Sequence, residues 1–213
     1  MTNKIIGIQG DKLDKINISS DTSIFLAHEA QKLGYKIFYY TPSNLSIIKN
    51  KTYANGVFVK LNYQIKKFYK IYKKQKIDVE NLKFILIRQD PPFNSEYLIT
   101  TLILDDLKKT RVINNPVAIR NVSEKLYSKK FTKYMPDTIF SNNIEEVKKF
   151  YKQNKSIIMK PINGYGGNQI HLIKNKFNKK LITNFLKKNG HSMFQKFLKN
   201  ISKGDKRVFI ING

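Results

Sequence analysis

The chain has 213 residues, a formal net charge of +25, 41% hydrophobic residues and no cysteine. This length can bury one core or two small ones, and the lack of cysteine excludes disulfides and cysteine-ligated zinc and favours a reducing, cytoplasmic setting. No apolar run reaches the roughly 18 residues of a membrane-spanning helix and the N-terminus does not resemble a signal peptide, so we expect no membrane partner.

The high positive charge raises the possibility of a nucleic-acid partner. Only four of the 40 basic residues are arginines, and the lysines are spread along the chain among many Asn and Ile residues, as AT-rich coding produces. The densest basic run, residues 66–76, interleaves lysines with aromatic residues. Ile65, Phe68, Tyr69 and Tyr72 follow the i, i+3, i+4, i+7 spacing of an amphipathic helix. We therefore predict a solvated helix and no specific nucleic-acid binding, with a basic nucleic-acid-binding protein as the alternative.

The first elements predict a strand–helix–strand unit. Residues 4–8 indicate a buried strand, Asp21 an N-cap, Gly34 the end of that helix, and residues 35–40 a second strand. Such a unit predicts parallel pairing with a right-handed connection.

Ligands of parallel sheets bind beyond the carboxyl ends of the strands. Asp11 and the loop to Asn17 follow the first strand, and no GxGxxG accompanies them, which argues against a dinucleotide site. The strand at residues 84–87 runs into Arg88 and Asp90 on a proline-stiffened loop. These two side chains would clamp a zwitterion, with Arg on its carboxylate and Asp on its ammonium, or form only a salt-bridged loop.

The rest of the first domain and all of the second follow from the same signals. We predict helices at residues 95–108, 144–151 and 177–188, and a short helix opened by Ser123. Residues 135–140 resemble a linker that enters a strand, and further strands are predicted at residues 111–113, 157–160, 169–173, 191–197 and 206–211. A domain boundary is expected near Ser123.

A lysine at a strand end followed by glycines is the strongest local signal of an anion site. Lys160 closes the apolar run at residues 157–159, and Gly164, Gly166 and Gly167 follow it. Glycine lets backbone N–H groups approach an anion closely, and the ammonium adds charge, so the segment suits a nucleoside triphosphate. A glycine-rich hairpin turn remains the alternative.

Five stretches together resemble bacterial glutathione synthetase, an ATP-grasp ligase, over the whole length of the chain. They are residues 10–18, 88–93 and 121–127, the Lys160 strand with its glycine loop, and residues 204–208. The resemblance implies an α/β fold with a Rossmann-like parallel-sheet domain, residues 1–122, followed by an incomplete ATP-grasp domain of α+β type, residues 123–213, with a lid at about 123–192.

The resemblance also implies the reaction. ATP would phosphorylate the cysteinyl carboxylate of γ-glutamylcysteine, and the amine of glycine would attack the acylphosphate to give glutathione. ATP, γ-glutamylcysteine and glycine are the implied small-molecule partners, Mg²⁺ is the implied metal, and a homo-oligomer is implied for the complete family protein.

Site roles are carried over from the family position by position. Lys160 and Arg207 are implied to be catalytic, and Asp11, Asn17, Arg88 and Asp90 to bind substrate. The implied ATP-binding residues are Lys125, Lys160, Gly164, Gly166, Gly167, Gln195, Lys196, Phe197, Leu198 and Asp205, where residues 195–198 form a hinge whose backbone reads adenine.

The last residues predict a hairpin, because Asn212-Gly213 follows the strand expected at residues 206–211. With the resemblance, this ending implies the N-terminal two thirds of the family protein, which we expect to be inactive alone. The resemblance also implies no metal ligands in this chain and places the magnesium ligands in a further C-terminal part. An unpaired final strand would favour aggregation. A different ATP-grasp carboxylate–amine ligase and a fragment without catalysis are the alternatives.

Overall fold

The computed structural model describes residues 4–63, 67–206 and 208–210. The chain divides into two compact units, Met1–Val122 and Ser123–Gly213, which are described separately.

In the described residues the first unit contains a seven-stranded sheet and three α-helices. The strand order is β3-β4-β2-β1-β6-β7, with β5 paired to β4 on the side away from β2 and β3. The strands are β1 Ile5–Gln9, β2 Lys36–Tyr40, β3 Leu45–Ile48, β4 Lys51–Leu61, β5 Tyr69–Asp78, β6 Phe84–Ile87 and β7 Arg111–Ile113, and the helices are α1 Thr22–Lys32, α2 Ser95–Asp105 and α3 Pro116–Asn121.

The predicted strand–helix–strand unit is confirmed. The Asp21 carboxylate accepts the Ile24 N–H at 2.7 Å and so caps α1, and Gly34 follows the helix with φ +82°. Strand β1 pairs in parallel with β2 and also with β6. The carboxyl ends of β1, β2 and β6 therefore meet at one edge of the sheet.

Apolar residues cover both faces of this sheet. On one face, Ile6, Ile8 and Ile37 pack with residues of α1 in what we call the α1-side cluster. On the other face, Phe38 and Ile85 are buried in a second apolar cluster. Both faces of the central strands are buried, as is typical of parallel sheets.

The helix predicted from the spacing of residues 65–72 is wrong. Ile65 lies outside the described residues, and Tyr69–Asp78 is the edge strand β5, antiparallel to β4, with a register shift after Phe58. The Tyr72 ring lies 5.9 Å from that of Phe58, and Phe68 is buried in the α1-side cluster. Pairing with a long neighbouring strand outweighs a local helical period, because strand preference depends on cross-strand packing.

Helix α2 ends at Asp105, earlier than the predicted residue 108. The Glu80 carboxylate accepts the N–H groups of Lys108, Lys109 and Thr110 at 2.6, 2.8 and 3.0 Å. These contacts hold residues 108–110 in a loop that leads into β7, and no local feature of α2 reveals them.

The second unit packs helices on one face of an antiparallel sheet. In the described residues the sheet has four strands in the order β10-β9-β11-β8. The strands are β8 Thr138–Ser141, β9 Ile157–Pro161, β10 His171–Ile173 and β11 Ser192–Lys196, and the helices are α4 Glu124–Tyr127, α5 Ile144–Asn154 and α6 Lys179–Asn189. Ile157, Met159 and Phe194 are buried in the cluster that includes residues of α5 and α6.

The strand predicted at residues 206–211 is not formed in the part of it that the structure describes. Residues 206 and 208–210 have no strand pairing, and Val208, Phe209 and Ile210 are each about 80% exposed. A β-strand is stabilised by pairing with a neighbour, and these described residues have none. Arg207 and the predicted turn at Asn212-Gly213 lie outside the described residues.

Candidate functional site

The sheet of the second unit has one face against α5 and α6 and one face without these helices. Side chains alternate along each strand, so Ile157 and Met159 point to the helices while Ile158 and Lys160 point the other way. The register places Gln195 opposite both Ile158 and Thr138. We call the helix-free side the ligand face, defined by Thr138, Ile158, Lys160, Met193 and Gln195.

Lys160 is a half-buried cation on the ligand face. Its Nζ donates to Gln195 Oε1 at 3.1 Å. Burial lowers the pKa of the Lys160 ammonium, and repulsion from Lys125 lowers it further, against a weaker opposing effect of Glu124. Two ammonium groups therefore lie close enough to repel each other, and a bound polyanion would relieve that repulsion.

Lys125 reaches the same region from α4. Its Nζ donates to the carbonyl oxygen of Ile162 at 3.4 Å and to that of Gly164. Among the described residues, Lys125 forms an ion pair with Glu124 at 3.9 Å, and the Glu124 side chain is 81% exposed. An exposed carboxylate at this distance compensates the Lys125 charge only weakly.

The loop after β9 needs glycine for two different reasons. A Cβ at Gly164 would lie 2.4 Å from Pro161 Cγ, so close packing excludes any larger residue. Gly166 and Gly167 instead have φ values of +58° and +74°; a Cβ at Gly166 would make only an ordinary contact with Asn168 Nδ2 at 3.8 Å, and one at Gly167 would meet nothing within 4 Å. Their conformation, rather than contact, favours glycine. Because Lys125 donates to the Gly164 carbonyl, the loop lies beside the two lysines.

The predicted hinge, residues 195–198, is the end of β11 and the residues after it. The Gln195 side chain is buried and bonds Lys160 and Thr138. The backbone N–H groups of Lys196 and Phe197 donate to Asp137 O at 2.8 Å and Ser156 O at 3.0 Å. Both N–H groups are therefore engaged by other parts of the protein. Adenine recognition by this segment stays a prediction, and it would need other groups of the segment, such as the Leu198 N–H.

Two further predicted site residues, Asp205 for ATP binding and Arg207 for catalysis, lie near the end of the chain. Asp205 is exposed in the irregular segment that follows the 3₁₀-helix Lys199–Lys203. Arg207 lies outside the described residues. Their roles stay predictions.

In the first unit, two predicted substrate residues meet at the carboxyl edge of the sheet. The Asp90 N–H donates to Asp11 Oδ2 at 2.8 Å, and the Tyr39 hydroxyl donates to the Asp11 carbonyl at 2.6 Å. Burial raises the pKa of Asp90, and the charges of Asp11 and Asp21 raise it further, with Arg88 opposing them. This concentration of negative charge suits a ligand ammonium group.

Arg88 and Asn17 have different surroundings. Arg88 Nε donates to Ser23 Oγ at 2.9 Å, and Arg88 forms no ion pair within the described residues, which disfavours the simple salt-bridged loop. The charge of Arg88 is thus available to a carboxylate. Asn17 accepts the Ser19 N–H at 3.2 Å and the Ser19 hydroxyl at 2.7 Å. These bonds fold Asn17 into a local turn, and none joins it to Asp11 or Asp90.

Sequence reasoning did not identify the side chains that hold these residues. Ser23 orients Arg88, Tyr39 supports Asp11, and Thr138 bonds Gln195. They come from other elements, up to 65 residues away, and carry no motif. Only strand order and register bring them to the site.

In the ranges that the structure describes, no group of three or more His, Cys, Asp or Glu side chains is arranged to hold a metal ion. The described residues therefore offer no cage of carboxylates that could hold Mg²⁺ without further ligands. Among the same residues, no helix has both the length and the apolar character to cross a membrane.

Comparisons with known proteins agree with this geometry. Residues 5–120 match the family model described as the N-terminal domain of prokaryotic glutathione synthetase, and residues 124–213 match its ATP-grasp domain. The glutathione synthetase of Buchnera aphidicola from Acyrthosiphon pisum is 37% identical over 215 aligned positions, covering 98% of this chain and 67% of the relative. That of Salmonella typhimurium is 34% identical, covering 98% and 68%. The chain thus spans about two thirds of the length of these curated relatives.

Solved structures show the same fold at low identity. D-cycloserine synthetase matches with a TM-score of 0.59 at 12% identity, over 92% of this chain and 60% of the other. D-alanyl-alanine synthetase A from Vibrio cholerae matches with a TM-score of 0.56 at 15% identity, over 93% and 61%. The predicted family and α/β fold class are confirmed. The chain belongs to the prokaryotic glutathione synthetase family, whose second domain is of the ATP-grasp ligase type.

Proposed function

We propose that this chain provides the nucleotide-binding lysines and part of the dipeptide site of a glutathione synthetase. The Ser123–Gly213 unit holds the phosphates of ATP, and the Met1–Val122 unit binds γ-glutamylcysteine. The observation that carries the proposal is the pair Lys125 and Lys160, two weakly compensated ammonium groups beside a glycine loop.

Each lysine has a distinct task in this proposal. Lys160, fixed on a strand, offers its ammonium to the phosphates as the γ-phosphoryl group leaves ADP for the acceptor carboxylate. Lys125 binds loop carbonyls in the absence of ligand, and it exchanges them for phosphate oxygens when ATP binds. This exchange would free the Gly164–Gly167 loop to cover the phosphates.

The first unit supplies the groups that match a zwitterionic dipeptide. Asp11 and Asp90 bind its ammonium, and Arg88 binds a carboxylate. The second carboxylate accepts the phosphoryl group, and the amine of glycine then displaces phosphate to form the new amide. Magnesium, which ATP-grasp ligases use with ATP, and a homo-oligomeric state belong to the proposed complete enzyme.

Calorimetric titration of the 213-residue chain with ATP tests the nucleotide part. Lys160→Ala should weaken ATP binding roughly 10- to 100-fold, since it removes a charge-assisted contact worth about 1.5–3 kcal/mol. Lys148→Ala is the matched control, because it removes the same charge from an exposed position on α5. Equal affinity of the Lys160→Ala variant and the control would refute the assignment.

A chimera carrying the last third of the Buchnera relative tests the ligation. We expect glutathione to form only when ATP, γ-glutamylcysteine and glycine are all present, as measured by mass spectrometry. Ligation of a different amino-acid pair with no glutathione would favour another ATP-grasp carboxylate–amine ligase.

A further inference from the structure

A chain of hydrogen bonds runs from the Pro136 carbonyl through Thr138 and Gln195 to Lys160. Thr138 Oγ1 lies 2.7 Å from the carbonyl oxygen of Pro136, Gln195 Nε2 lies 2.9 Å from Thr138 Oγ1, and Lys160 Nζ lies 3.1 Å from Gln195 Oε1. Thr138 and Gln195 are also register partners on β8 and β11.

The chemistry of these groups fixes the direction of every bond. A backbone carbonyl only accepts, so the Thr138 hydroxyl proton points to Pro136 O. The Thr138 oxygen must then accept from the Gln195 amide nitrogen. The amide oxygen of Gln195 consequently faces Lys160 and accepts from its ammonium. A rotated Gln195 amide would place N–H groups against the ammonium and an oxygen against a hydroxyl without a free proton.

Lys160 depends on this single acceptor. In the described part of the chain, Gln195 Oε1 is the one protein atom that accepts a hydrogen bond from Lys160 Nζ. One ammonium proton is therefore fixed in direction, and the other two are left for a ligand. Within the described ranges, the charged groups that act on Lys160 are Lys125, which repels it, and Glu124, which attracts it.

We propose that Thr138 is a positioning residue, which locks the Gln195 amide so that the Lys160 ammonium is held in the orientation that receives phosphate. This inference rests on the proposed nucleotide site and assigns Thr138 a task within it. In this proposal Thr138 acts on the phosphates through Gln195 and Lys160.

The first experiment compares Thr138→Val with Thr138→Ser. Valine keeps the shape of threonine but cannot accept the Gln195 N–H, whereas serine keeps the hydroxyl. Competitive lysine acylation across pH 7–11, read by mass spectrometry, follows the titration of Lys160 in the full chain. With a freely rotating Gln195, the charged form of Lys160 loses its acceptor, so we expect a lower titration midpoint in Thr138→Val and a wild-type profile in Thr138→Ser.

ATP affinity is the second measurement. Thr138→Val should weaken ATP binding about three- to tenfold, and Thr138→Ser should stay within twofold of the wild type. Gln195→Met removes the acceptor directly, so combining it with Thr138→Val should add little further loss. Full additivity of the two losses would overturn the proposal.

The outcomes separate this inference from the proposed function. A Lys160 titration in Thr138→Val that superimposes on the wild type overturns the positioning role, even if stability falls. A shifted titration in a protein that does not bind ATP supports the positioning role and refutes the nucleotide site instead.

Discussion

Glu80 should stabilise the first unit through its contacts with the loop before β7. Its Oε1 accepts the Lys108 N–H at 2.6 Å, and its Oε2 accepts those of Lys109 and Thr110 at 2.8 and 3.0 Å. In Glu80→Gln, one amide oxygen can keep two of these donors as weaker neutral bonds, and the amide N–H₂ opposes the third. Because Lys108 is exposed, its N–H can bond to water instead. We therefore expect Glu80→Gln to lower the free energy of unfolding of the first unit by about 2 kcal/mol.

The sign of the pH dependence follows from the same contacts. Partial burial raises the pKa of Glu80, but the three backbone N–H groups outweigh it, and the net pKa lies below the ordinary value. The stabilisation is therefore complete above the unfolded pKa of about 4.3 and disappears as the pH falls through the lower folded pKa. The wild type and Glu80→Gln should differ at pH 7 and converge toward pH 3.

Hydrogen exchange of the β6 and β7 amides measures the free energy of local opening in this part of the sheet. The measurement therefore does not assume that the two units unfold in one cooperative transition. Glu96→Gln is the control, because Glu96 is an exposed carboxylate in the first turn of α2 and should lose only about 0.5 kcal/mol. A Glu80→Gln variant whose β7 amides open as rarely as those of the control would refute the reasoning.

Three further substitutions test the two units. Gly164→Ala should weaken ATP binding about tenfold, because its Cβ would lie 2.4 Å from Pro161 Cγ and displace the loop that Lys125 contacts. Asp90→Asn should weaken dipeptide binding about tenfold. At pH values above about 4 the same change should slightly stabilise the fold, because the raised pKa of Asp90 reflects burial and repulsion by Asp11. Phe194→Ala, at a fully buried site, should destabilise the second unit by about 3–5 kcal/mol and abolish ATP binding.

Isothermal titration calorimetry measures the affinities for ATP and for the dipeptide. Urea denaturation at two pH values measures the free energy of unfolding. Wild-type affinity in Gly164→Ala would show that the loop tolerates displacement. Lower stability of Asp90→Asn at pH 7 would show that Asp90 is attracted rather than repelled in the folded chain. Phe194→Met, which keeps most of the volume, is the control for the core substitution.

The sequence by itself determined the local elements and the family. The Asp21 cap, Gly34 and the apolar runs of β1 and β2 act through neighbours along the chain, so their pattern is sufficient to predict α1 and its flanking strands. The five stretches that include the motifs around Lys125 and Lys160 identified the family together, because residue types and their order are properties of the sequence itself. The site roles of these residues remain predictions.

Tertiary structure alone decided β5 and the supporting side chains. Residues 65–72 carry a helical period, yet pairing with β4 makes Tyr69–Asp78 a strand, because a whole neighbouring strand outweighs a local preference. Thr138 meets Gln195 across 57 residues, and Glu80 meets Thr110 across 30. Such contacts depend on strand register and loop path, which the packing of the whole sheet fixes, so no local pattern encodes them.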